Sequence, residues 1–535
     1  MKKNKKNKKN TFSPTVKLSN INIGQTAGEN EAKNPYFENL FYTGNKKYSE
    51  ICKHNKFIIR GRKGTGKTIL AHYIKKKAYD NNICSCKINS LNDIELQKLL
   101  NNPNRNLLDE ENKVFWRYCI LIELGKCILE RHPYQKYINF SLKKLRRIIN
   151  RRNNPYLKIV EVNKSYNLSK KSSFSLNSDV KKSIKTSIRD LSNSDKFGLG
   201  LSKEKNTGLI EKYEISDYFA EINDLEKLVL KILSKEKQGY MIIYDDLDEI
   251  GDNIDNHKNY KSLILGMIFA VQDLNNKIQI KNKDSKIIIS IRSDILDSLN
   301  KHSSNLRKII SDNSVNLYWL NKANSHYTDN ELIDLILTKI TASVPEYKSI
   351  DKKILFENLF PKNISKTSIV KYLLDKSMGR PRQIIEFLNI IIENYGDCLK
   401  FEPKHFRNCL KYFSIELYKD LENEFSVYEN KNELNESLKL IKSLRKADFE
   451  FGEILAHYNA NRNQYKYIKT VEDSLKLMYS FGVIGMYEKN DDDDIPKYSW
   501  GYREDAEQDI DIRQIFLVHS ALRPVFNLTQ RDTKN

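Results

Sequence analysis

Five short runs of β-branched and aromatic residues punctuate the chain: Lys56–Ile59 (KFII), Ile83–Ile88 (ICSCKI), Tyr240–Tyr244 (YMIIY), Lys286–Ile291 (KIIISI) and Val315–Trp319 (VNLYW). Segments of helical period separate them, the most apolar lying around Leu263–Leu274. Apolar runs without polar alternation, interleaved with helices, predict an α/β fold whose parallel sheet is covered on both faces. One gap is too long for this scheme. About 150 residues separate the second and third runs, whereas a crossover needs only a dozen or more. An insert over about residues 92–235 is therefore predicted. Its first half, VFWRYCILIELGKCILERHPYQKYINFSLKKLRRIIN, has helical spacing, and its Ser/Lys/Asn-rich second half reads as loop or hairpin.

Beyond Trp319 the pattern is helical to about Tyr428, and the character then changes again. Helices near Asp448–Tyr458 and Thr470–Ser480 precede two alternating stretches, VIGMYEK and KYSWGYR, around the acidic turn Asp491–Asp494. Two helices followed by a β-hairpin outline a winged helix. The predicted organisation is a basic disordered tail (1–33), an α/β core that holds the parallel sheet (34–325), a helical lid (326–428) and a winged-helix-like domain (429–535).

The length of 535 residues exceeds what one hydrophobic core supports. The net charge of +22 would ordinarily point to a polyanionic partner, but Lys and Asn abound while Gly and Pro are scarce, as AT-rich coding produces, so local clusters are more informative than the total. The seven cysteines form no C-x-x-C pair and no Cys/His array, which argues against a disulfide framework or a zinc site. The tail MKKNKKNKKN lacks the apolar stretch of a signal peptide, and the longest apolar run, Leu263–Val271, is too short to span a bilayer. A cytoplasmic protein without a membrane span is expected.

The candidate chemistry starts at Gly61-Arg-Lys-Gly64-Thr65-Gly66-Lys67-Thr68, which fits G-x-x-x-x-G-K-[ST] after an apolar run and before a helix. Glycines let backbone N–H groups approach a phosphate, and the helix N-terminus favours the anion. Lys67 would then pair with the β- and γ-phosphates of ATP, and Thr68 would ligand Mg²⁺. YMIIYDDLDE places acids at the end of another strand: Asp245 to hold Mg²⁺ and Asp246 to orient the attacking water, with Asp248 or Glu249 as alternatives for the second role. KIIISIRSD ends a third strand in Arg292 and Asp294. Arg292 either faces the γ-phosphate or sits in an ion pair, with Asp294 as helix cap.

The series GRKGTGKT, IIYDDLDE, IISIRSD and GRPRQ, then helices and a winged helix, resembles the STAND and origin-recognition branch of AAA+-related ATPases, especially bacterial P-loop ATPases found among anti-phage defence genes. The resemblance implies that Pro381 lies against the adenine, that Arg382 acts as a sensor, and that Arg292 takes the first sensor's role. Arg307 is the candidate for a trans-acting finger in a homo-oligomer. Three functions follow as expectations: a signal-transducing defence ATPase, a DNA-dependent ATPase of replication or mobile elements, or a nucleotide-gated scaffold with negligible turnover.

Partners are suggested by charge. Ser141–Lys158 carries seven basic residues and no acid, enough to neutralise several phosphates of a nucleic acid. The last domain offers the opposite. Glu472 and Asp473 on its second helix and Asp491–Asp494 at the turn would repel phosphate, which suits a protein partner.

Overall fold

The computed structural model describes residues 12–90, 109–150, 217–247, 257–300, 304–320, 330–425, 431–488, 497–503 and 509–528. Residues 1–11, the second half of the insert, Asp248, Glu249, Arg151, Arg152 and the Asp491–Asp494 turn lie outside them. The rest of the tail expected to be disordered, residues 12–33, is ordered instead: it forms the short helices Leu18–Asn20 and Gly28–Ala32 and buries Leu18, Ile21 and Ile23.

A five-stranded parallel sheet is present, as the apolar runs predict. Its strands are β1 (Ile58–Gly61), β2 (Ile83–Ser90), β3 (Gly239–Asp245), β4 (Lys286–Arg292) and β5 (Ser314–Asn316), in the order β2-β3-β4-β1-β5. Every residue of β3 and β4 is buried, which is why their sequences show no polar alternation. Each buried isoleucine there contributes on the order of 1.5–3 kcal/mol of apolar burial. The fifth strand is shorter than the run Val315–Trp319 suggests. Strand pairing stops at Asn316, and Trp319 instead buries its indole and donates Nε1–H to the Thr65 carbonyl at 2.9 Å.

The chain divides into two compact units. The unit formed by Glu50–Arg60 and Ile74–Val315 holds most of the sheet and the helical half of the insert. The insert's helices Asp109–Arg131 and Phe140–Asn150 and the helix Asp217–Leu233 are built into its core. Trp116 sits edge-on to Tyr244 of β3, and its indole N–H donates to the Leu263 carbonyl on the helix His257–Lys281. Arg117, Glu226 and Lys277, one from each of three helices, join in an ion-pair network. Buried Lys286 opens β4 and donates to the carbonyls of Ile51 and Lys53, both at 2.7 Å; burial pushes its ammonium down to about 8.

The other unit comprises Met1–Ser49, Gly61–Tyr73 and Asn316–Asn535. Its helices Glu331–Ser343, Lys352–Leu359, Ile369–Lys376, Pro381–Tyr395 and Pro403–Phe425 form a bundle, with a small hairpin of β6 (Asn363–Ile364) and β7 (Thr367–Ser368). An N-terminal segment straps this bundle. Leu18, Ile21 and Ile23 are buried in it, the N–H groups of Leu18 and Ser19 donate to Cys398 and Gly396, and the carboxylate of buried Glu31 pairs with buried Lys339.

After helices Lys431–Leu444, Phe451–Ala460 and Val471–Ser480 comes an antiparallel sheet in the order β10-β9-β11-β8. Its strands are β8 (Asp448–Phe449), β9 (Ile484–Glu488), β10 (Lys497–Trp500) and β11 (Ile515–Val518). The paired stretches β9 and β10 were legible in the sequence. The strand β11 between β9 and β8 was not, because its four residues carry no turn signal or alternation long enough to read.

Candidate functional site

The glycine loop closes on itself. Gly64 and Gly66 have φ of 80° and 96°, a left-handed backbone that glycine adopts without steric cost. Thr65, nearly fully buried, donates its hydroxyl to the Arg62 carbonyl at 2.8 Å, and a Cβ at Gly61 would lie 2.4 Å from that hydroxyl. The Gly66 carbonyl accepts the N–H of Leu70, so the helix Lys67–Lys76 starts directly from the loop. Lys67, only 8% exposed, turns its ammonium back to the carbonyls of Gly61 and Arg62, both at 3.2 Å. Among the described residues no carboxylate pairs with it. A buried ammonium held only by neutral carbonyls is a site short of one negative charge.

Within the same unit the loop is tied to distant parts of the chain. The Gly64 carbonyl accepts the N–H of Arg382 at 3.2 Å, and a Cβ at Gly64 would meet Gln383 Oε1 at 3.1 Å. This contact depends on the turn before the helix Pro381–Tyr395. Met378 and Gly379 are left-handed there, and a Cβ at Gly379 would lie 2.3 Å from Leu320. Arg380 is buried in an ion pair with Glu424, and Pro381 occupies the first helical position, where its missing N–H costs nothing. Arg382 Nε also donates to the Thr26 carbonyl of the N-terminal strap. The structure thus brings Gly64, Pro381 and Arg382 into one neighbourhood.

Arg62, a variable position of the glycine pattern, does something the sequence did not suggest. Its guanidinium donates to the carbonyls of Ser480 at 3.0 Å and Gly501 at 2.7 Å. Ser480 ends the helix Val471–Ser480, whose unpaired carbonyls and dipole favour a cation.

Gln383 links the loop's neighbourhood to acids. Its Nε2–H donates to Asp420 Oδ2 at 3.1 Å. Nearby Glu386 is pushed up to about 7, mainly by burial, then by the carboxylates of Asp420 and Glu416, against the opposing charges of Arg382 and Lys419. Between its ordinary value near 4.5 and about 7 the folded protein keeps a proton that the unfolded chain has lost, so Glu386 makes stability fall as pH rises through that window. Glu386→Gln should flatten the fall, measured as melting temperature from pH 5 to 8. An unchanged slope would assign the dependence elsewhere.

In the sheet-bearing unit, Asp245 closes β3 only 2% exposed, and among the described residues neither carboxylate oxygen has a hydrogen-bond partner. Such a carboxylate is costly without a cation, so its chemistry fits an oxygen-ligated divalent ion. Asp246 follows in the left-handed region, φ 48°. Arg292, buried at the end of β4, forms a two-pronged ion pair with Asp294, Nε–Oδ1 3.1 Å and Nη2–Oδ2 2.6 Å. Of the two readings of this arginine, the ion pair is present. Arg307 lies on the helix Ser304–Asn313.

No helix among the described residues is long and apolar enough to cross a membrane. Among them, too, no group of three or more His, Cys, Asp or Glu side chains is arranged to hold a metal, and all seven cysteines are free thiols. Comparison with known families matches residues 330–422 to the FunZ-associated C-terminal helical domain. That stretch is the bundle from Glu331 into the helix Pro403–Phe425, and it includes Pro381 and Arg382. No curated protein matches the chain.

Proposed function

We propose that this chain is a P-loop ATPase that binds Mg²⁺–ATP at Gly61–Thr68 and passes its nucleotide state to the helical bundle and a winged-helix-like C-terminal module. The observation that carries the reading is Lys67, a buried ammonium at the head of a helix, inside a loop with two left-handed glycines and no carboxylate partner among the described residues. Phosphate oxygens supply the charge it lacks, and the loop's N–H groups donate to the same anion. Thr68 would ligand an ion that, when bound, neutralises charge on the phosphate oxygens, and Asp245 is the further ligand that the sequence pattern suggests. Asp246 orients water for attack, and Arg292, released from Asp294 or shared with it, stabilises the charge that develops. The family match over residues 330–422 is compatible with a defence-associated protein.

The route for the signal is local. A phosphate drawing Lys67 away from the carbonyls of Gly61 and Arg62 moves the segment whose next side chain holds Ser480 and Gly501. Gly64, two residues on, holds the start of the helix Pro381–Tyr395. Phosphate release from ATP, assayed with and without DNA, tests the reading. Turnover that ends with Lys67→Ala supports it, ATP binding without turnover makes the protein a nucleotide-gated scaffold, and no ATP binding rejects it.

Coupling has its own test. ATP is expected to alter amide exchange around Ser480 and Gly501 in the wild type. Arg62→Ala should keep ATP affinity within a few-fold while removing that response, because it deletes two charge-assisted hydrogen bonds worth roughly 1.5–3 kcal/mol each. A response that survives the substitution would remove Arg62 from the route.

A further inference from the structure

The helical arm of the insert ends in a surface that nucleotide binding does not use. Between the helices Asp109–Arg131 and Phe140–Asn150 the chain turns through Pro133 and a short helix, Gln135–Ile138. Four large side chains stand out from this turn: Tyr134 is 83% exposed, Tyr137 53%, Ile138 85% and Phe140 80%. Other exposed large side chains, such as Tyr36, Tyr79 and Ile280, are scattered singly, which is ordinary on a protein surface. Four within seven residues are not.

Charge surrounds the rings. The guanidinium of Arg146 lies 4.2 Å from the centre of the Tyr137 ring, and Lys143, Lys144 and Arg147 are exposed on the following helix. The turn is also well braced. Asn139 Oδ1 accepts the N–H groups of Ser141 and Leu142, and His132 pairs with Glu236 at 2.8 Å.

We propose that this arm binds single-stranded nucleic acid, with bases stacking on Tyr134 and Phe140 and phosphates held by Lys143, Lys144 and Arg147. The inference is independent of the ATPase reading. Rings with a cationic border suit unpaired bases on a phosphate chain, because every base has a π-face and every link a negative charge. A duplex would engage the cations and leave the rings idle, since its bases are stacked on one another. A bilayer fits less well. A helix that lies in a membrane surface needs a free apolar face, and here Leu142, Leu145 and Ile149 are buried in the unit's core while the basic side faces out.

The test uses the full chain, without nucleotide, in anisotropy titrations of labelled oligothymidylate and oligouridylate of about twenty residues, a duplex of equal length, and sedimentation with phosphatidylserine vesicles. The single strands should bind more tightly than the duplex. Tyr134→Ala with Phe140→Ala should weaken single-strand binding about a hundredfold, roughly tenfold per ring, and Trp at both positions should restore it. Replacing Lys143, Lys144 and Arg147 with Gln should flatten the log–log salt slope by about two units. Either strand chemistry supports the proposal, and the stronger of the two identifies DNA or RNA. Single-strand affinity unchanged by ring removal, or a preference for duplex, would overturn it. Ring-dependent sedimentation with vesicles in place of oligonucleotide binding would give the surface to membranes. The Lys67→Ala chain should bind the strands normally, which separates this outcome from failure of the ATPase reading.

Discussion

Lys67→Ala is expected to weaken Mg²⁺–ATP binding by a factor of roughly 30 to several thousand, equivalent to about 2–5 kcal/mol for truncating one partner of a buried charge pair. The size follows from burial: the ammonium is 8% exposed and rests on two neutral carbonyls, so little water competes with an arriving phosphate. Lys67→Met keeps the volume and should lose the same affinity. It separates the charge from the packing, because removing an uncompensated buried cation should leave the ligand-free protein melting no lower than wild type. Calorimetric titration with ATP and a thermal melt check both halves. Binding by both variants at wild-type strength would mean that the loop holds no phosphate.

Asp246→Asn should leave ATP affinity within about threefold and slow turnover by about 10²–10⁴, the range for a group that positions or deprotonates water. The substitution suits this backbone. Asp246 is left-handed, φ 48°, a region that asparagine tolerates as well as aspartate, so charge changes while the chain path is kept. Single-turnover phosphate release in saturating ATP is the measurement. If it proceeds at the wild-type rate, the water-orienting role passes to Asp248 or Glu249. The neighbouring Asp245 is a different case, since its orphaned buried oxygens match a cation ligand rather than a group that reaches for water.

What was legible in the sequence was whatever local pattern encodes. The runs at β3 and β4 betray themselves because both faces are buried, and the observed strands extend the predicted ones by only a residue at each end of β3 and one at the end of β4. The glycine spacing located the loop, and GRPRQ located the start of the helix Pro381–Tyr395. Hidden from the sequence were the partners that chain folding supplies across long separations. Trp319 meets Thr65 across 254 residues, and Arg62 meets Ser480 across 418. Nothing in their neighbours marks either one. The exposed rings Tyr134 and Phe140 also escaped notice, since HPYQKYINF reads equally well as a helix with a buried aromatic side. The basic residues beside them were visible, and only exposure joins the two sets into one surface.

The arginine that grips Gly501 lies 439 residues before it. A ribosome adding about 5–20 residues per second needs tens of seconds to cover that distance. The stretch Ile74–Val315, nearly one whole unit, can be finished early in that interval, while the glycine loop waits for Arg382, then Ser480, then Gly501. A nascent chain, or one cut short before about residue 500, therefore carries the glycine loop without the braces that shape it. If the loop captures nucleotide as proposed, that property is acquired only once the chain has passed about residue 500, which would keep shorter nascent chains from responding to nucleotide. Arresting translation at successive lengths and probing ATP-dependent protease resistance would show the step at which it is acquired.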